Sequence, residues 1–146
     1  MGFLDSIMNF FDELDKKKKI NRARWEIENA IRMKERDIQI KIEKYERNVK
    51  LEILNRFKKR QLDAIASVRG LPKMKTKKEL VSVLVEEMTL DELLKFAKNY
   101  KIKYRDLTSA LEKYKKNLEY ELEMFKRDRW LEFEEYKREI LNEDMT

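Results

Sequence analysis

The sequence predicts an all-α fold, on three observations. Charged residues fill 44% of its 146 positions, while glycine occurs twice and proline once, a composition that suits long helices and not a sheet. The dipeptides that close β-hairpins, Asn-Gly, Asp-Gly and Pro-Gly, are absent. Apolar residues recur with helical periodicity, which separates this chain from equally charged sequences that stay disordered. The expected architecture is two long helices with eleven-residue repeats forming an antiparallel hairpin. A small three-helix head sits at its tip and a short amphipathic helix precedes it.

The first segment, residues 1–15, contains "GFLDSIMNFFDELD". Phe3, Leu4, Ile7, Met8, Phe10, Phe11 and Leu14 share one side of a helical wheel, and Asp5, Ser6, Asn9, Asp12 and Glu13 the other. Lys16 to Lys19 follow, where cations suit a helix C-terminus. Two readings are open for this helix. Its apolar face packs on the protein or on a second copy, or Phe3, Leu4, Ile7, Phe10 and Phe11 lie in a membrane interface with the four lysines at anionic headgroups. The acidic polar face speaks against the second.

Residues 16–61 form the first long helix of a stalk. Ile20, Ile27, Ile31, Ile38, Ile42, Val49 and Ile53 alternate in steps of seven and four, an eleven-residue repeat. Such a stripe stays nearly straight along a helix, and at 1.5 Å per residue the rod is about 55 Å long. The last segment, 105–146, returns with Leu107, Leu111, Tyr114, Leu118, Leu122, Phe125, Phe133, Tyr136 and Ile140. Rods of equal period and length, joined by an insert, read as an antiparallel pair. Trp25, Ile40, Leu51, Trp130 and Leu131 fall off the stripes, and a homodimer would bury them.

Between the rods, residues 62–104 make the head. Leu62, Ile65, Ala66 and Val68 precede Gly70, a helix stop. Pro72 forces Leu71 out of helical geometry. "TKKE" from Thr76 and "TLDE" from Thr89 are two capping boxes, each opening a helix.

Chemistry is narrowed by what is missing. Without a cysteine or histidine, thiol catalysis, histidine triads, Cys/His zinc sites and disulfides are excluded. The carboxylates alternate with lysines and arginines, as on solvated helix faces. We expect no enzyme and no cofactor. Dense Lys, Glu and Arg also suit a hyperthermophile. No apolar run would span a bilayer and no signal-peptide pattern opens the chain, so the expected location is the cytoplasm.

The net charge is +6 and the pI near 9.3, a balance favourable to polyanions. In "GLPKMKTKKEL", from Gly70 to Leu80, the cations Lys73, Lys75, Lys77 and Lys78 gather with Arg69 where a helix N-terminus offers free N–H groups. "KNYKIKYR" adds Lys98, Lys101, Lys103 and Arg105 with Tyr100 and Tyr104 between them, and "RFKKR" lies just before the head. From Leu62 to Leu84, the order and spacing of Gly70-Leu71-Pro72, Thr76-Lys77 and Glu79-Leu80 resemble the SAP family of small DNA-binding modules. That resemblance implies a helix, extended loop, helix unit whose basic loop lies against the DNA backbone. Leu62 and Leu80 would be core, Gly70 the turn and Lys77 the basic residue at the helix start. Lys75 stands where the family commonly has glycine, and Ala66 where it has a larger apolar residue.

Two functions follow as expectations. The first is non-enzymatic DNA binding through phosphate contacts of the nine cations just named, in a homodimer that doubles the heads. The second is a coiled-coil scaffold, membrane-peripheral through the N-terminal helix, in which Gly70 to Leu80 is a connector with solvated lysines.

Overall fold

The structure, a computed structural model, describes residues 2–142 and is helical with no strand among them. Five helices follow in order: α1 Phe3–Arg56, α2 Lys59–Val68, α3 Lys77–Glu87, α4 Leu90–Asn99 and α5 Arg105–Asn142. The chain divides into two compact units, one of Met1–Ile38 with Leu118–Thr146, the other Gln39–Asn117.

In the first unit residues of α1 contact residues of α5. The Arg24 guanidinium lies 5.5 Å over the Phe133 ring, and Lys34 Nζ lies 2.9 Å from Glu121 Oε1. Between them Ile31, Ile38, Leu118, Phe133 and Ile140 are buried. A short N-terminal helix ending near Asp15 is not found as a separate element, because α1 runs through Lys16–Lys19 unbroken. Lysine is a good helix former, no glycine or proline intervenes, and Lys19 pairs with Asp15 one turn back at 3.8 Å. Met1 and residues 143–146 lie outside the described residues.

In the second unit the expected long helix stops earlier than residue 61. Phe57 leaves α1 and is buried, its ring meeting Tyr100 edge-on at 5.9 Å between centroids. Lys58 is extended (φ −80, ψ 152), a conformation open to any residue. The Gln61 amide oxygen then accepts from Lys58 N–H at 2.8 Å and opens α2. No breaker is needed, because the turn is driven by the apolar ring. Leu54, Phe57, Leu62, Ile65, Leu80, Leu84, Val85 and Leu93 form a core drawn from α1 to α4.

Helix ends follow their local chemistry. Thr76 Oγ1 accepts from Glu79 N–H, and Thr89 Oγ1 from Glu92 N–H, both at 3.2 Å. α2 closes in a Schellman turn. Leu71 N–H bonds Ala66 O at 2.9 Å, Gly70 N–H bonds Ser67 O at 3.0 Å, and Gly70 has φ 72. α4 closes the same way, with Ile102 N–H on Ala97 O at 2.8 Å and Lys101 N–H on Lys98 O at 3.2 Å. There the left-handed position is held by Lys101, φ 57, at a cost that glycine avoids.

Replacing Lys101 by glycine should raise stability by roughly 1 kcal/mol in chemical denaturation. Phe57→Ala should lower it by about 3–5 kcal/mol, and a loss under 1 kcal/mol would mean the ring does not organise this core.

Candidate nucleic-acid interface

The cations singled out in the sequence fall into two groups once their partners are known. Arg69 and Lys77 are engaged in holding the fold. Arg69 Nη1 bonds the Glu92 carboxylate and its Nη2 donates to Glu87 O at 2.7 Å. Lys77 Nζ donates to Asn55 O at 2.6 Å. These carbonyls stand in the last turns of α3 and α1, where the helix supplies no donor of its own. The Arg69 guanidinium also holds the Glu92 carboxyl below its ordinary value.

Lys73, Lys75 and Lys78 make the second group. All three are exposed, and none of their ammonium groups has a hydrogen bond or ion pair among the described residues. They flank the opening of α3, where the N–H groups of its first residues point out of the helix. Lys98, Lys101, Lys103 and Arg105 are exposed too. Tyr100 and Tyr104 are not free to stack on a base; both are half-buried against the core.

The end of α1 brings the two basic stretches together. Lys77 reaches the carbonyl of Asn55, and the next residue, Arg56, donates to Lys103 O at 2.7 Å. Adjacent Cα atoms are about 3.8 Å apart, so the start of α3 and the 101–105 loop approach one corner. Two carboxylates of this unit are paired with cations. Arg56 grips Asp106 with both nitrogens, at 3.0 and 2.9 Å, and Lys59 Nζ lies 3.0 Å from Asp63. Glu79 and Asp91 remain exposed.

Beside the loop lies a cleft of about 580 Å³ lined by Lys59, Asp63, Ser67, Gly70 and Lys73 over Leu71, Met74 and Leu80. Lys59 was not among the site residues expected from the sequence. Its only signal was the run "RFKKR", since fourteen positions separate it from Lys73 and only the fold of α2 against the loop sets them on one cleft. Phe3, Leu4, Phe10 and Phe11 are exposed and Ile7 half-buried. No group of acidic residues that could hold a metal occurs among the described residues, and no described helix is long and apolar enough to cross a membrane.

The Arg56 guanidinium, by hydrogen bond and by charge, draws the Asp106 carboxyl down from 3.8 to about 2. The folded state therefore prefers the ionised form. Its contribution is complete above the unfolded value, is lost as pH falls from about 4, and is gone below about 2. In urea unfolding from pH 6 to 2, wild type should exceed Asp106→Asn at the upper end, and the gap should close across the acid range. A constant gap would refute the linkage. No protein-family model, characterised protein or solved structure matches this chain.

Proposed function

We propose that the segment 62–104 is a SAP-like module that binds the phosphate backbone of DNA without enzymatic activity. The observation that carries this reading is the surplus of charge: the ammonium groups of Lys73, Lys75 and Lys78 are exposed and have no partner among the described residues, while Arg69, Lys77 and Lys59 are bonded to carbonyls or carboxylates. Cations kept for solubility alone have no reason to crowd one loop beside open N–H groups. A phosphate there gains both charge and hydrogen bonds. Lys98, Lys101, Lys103 and Arg105 extend the contact on the neighbouring loop. The turn at Gly70, the non-helical Leu71–Met74 stretch and the Thr76 cap are consistent with the helix, loop, helix path that the resemblance implies.

The long helices α1 and α5 are read as an antiparallel coiled-coil carrier with eleven-residue repeats. The opposed Arg24–Phe133 and Lys34–Glu121 contacts support that reading. A scaffold that binds no nucleic acid is the second reading, favoured by the uncovered apolar side chains of residues 3–14.

Binding to duplex DNA across a salt series separates the two. The triple variant Lys73→Glu, Lys75→Glu, Lys78→Glu should keep its helical content and lose affinity by at least tenfold. The slope of log K against log salt should become shallower by about 2–3. Lys77→Met tests the division of roles and should lower thermal stability more than affinity. Absence of binding by wild type at low salt would end the DNA reading.

A further inference from the structure

Phe3, Leu4, Met8, Phe10, Phe11 and Leu14 stand between 37% and 80% exposed on the first turns of α1. Two features of the first unit account for this. Counting outward from Arg24 beside Phe133 and Lys34 beside Glu121, Asn142 at the end of α5 comes level with about residue 15 of α1. Residues 3–14 thus run past the described part of α5. The apolar sector also changes side: at 3.6 residues per turn, Ile27, Ile31 and Ile38 fall on one side of α1, and Leu4, Met8 and Phe11 on the opposite one. Lys16–Lys19 mark the changeover.

We propose that a second copy of this chain covers this face, the two 3–14 segments packing antiparallel about a two-fold axis level with Asn9. The segment is self-complementary in that arrangement. Leu4 of one copy lies opposite Leu14 of the other, and Phe11 opposite Ile7, so apolar residues meet along the whole length, as a two-fold interface requires. Charge sets the direction. Residues 2–15 hold four acids, Asp5, Asp12, Glu13 and Asp15, and no lysine or arginine, while Lys16–Lys19 are four cations in a row. Antiparallel pairing brings each lysine run toward the other copy's first acidic turn. Parallel pairing would set the two lysine runs side by side, which the antiparallel arrangement avoids. In the antiparallel pair Asp5 comes level with Glu13 of the other copy, both on the polar side of the helix away from the apolar contact.

The uncovered side chains amount to roughly 600–700 Å² per copy, taking an aromatic ring as about 150–250 Å². Doubled, that reaches the lower range of stable interfaces, about 1,200–2,000 Å². A lipid surface would take the same face, but four carboxylates without a cation among residues 2–15 would meet anionic headgroups. The inference does not rest on DNA binding.

Sedimentation equilibrium of the full chain over a dilution series should give twice the 18.0 kDa chain mass. Met8→Glu with Phe11→Glu should return the mass to 18.0 kDa with circular dichroism unchanged. The chain has no cysteine, so single-cysteine variants report the direction. Met8→Cys should cross-link between copies on oxidation, whereas Leu4→Cys should not, its two positions lying about 15 Å apart along the axis. Equal cross-linking at both would overturn the antiparallel arrangement. A wild-type monomer, or a dimer that survives the double substitution, would overturn the interface. A monomer that floats with phosphatidylglycerol vesicles would assign the face to lipid instead.

Discussion

Helix ends are the constraint on which the second unit depends. Each time a helix stops, its last carbonyls lose their partners, and burying them bare costs more than most side-chain contacts return. With a single glycine in the left-handed region, the chain answers with long cationic side chains from other helices. Lys77 bonds Asn55 O at the end of α1. Lys50 bonds Val85 O at 2.8 Å and Met88 O at 3.0 Å, and Arg69 bonds Glu87 O, all near the end of α3. Because each donor reaches across from a different helix, satisfying an end also fixes where two helices sit.

That economy divides the basic residues by role. Arg56, Arg69, Lys50 and Lys77 are committed to carbonyls or carboxylates of the fold, whereas Lys73, Lys75 and Lys78 face water beside the α3 N-terminus. Composition cannot make that distinction, since lysine offers the same charge in either place. Tyr100 lies between basic residues in the chain, which invites a stacking role, yet its ring packs on Phe57 and serves the core.

Several features were legible because they are local. The two threonine caps act within three residues of themselves, and Gly70 adopts the backbone angle that its lack of a side chain permits. The isoleucine ladder of α1 and the leucine–aromatic ladder of α5 likewise reflect only the helical period; Ile31, Ile38, Val49 and Ile53 are buried. Three other features were not legible. The break at Phe57–Lys58 has no breaker residue and arises from a ring entering a core built by distant helices. Lys101 holds a left-handed turn that its own chemistry disfavours, because Ile102 beyond it packs against that core. The run Lys16–Lys19 looks like a helix end but continues one, since the last-turn preference for cations is weaker than uninterrupted helix propensity.

The sequence by itself determined the all-helical class, the caps, the apolar ladders and the absence of cysteine and histidine chemistry. These depend on residue type and on neighbours within about two helical turns. Tertiary structure alone decided where α1 ends, which cations are held by carbonyls, and that Lys59 joins Lys73 on one cleft. Those outcomes depend on which unsatisfied group a long side chain can reach after folding, and residues as far apart as Asn55 and Lys77 become neighbours only then.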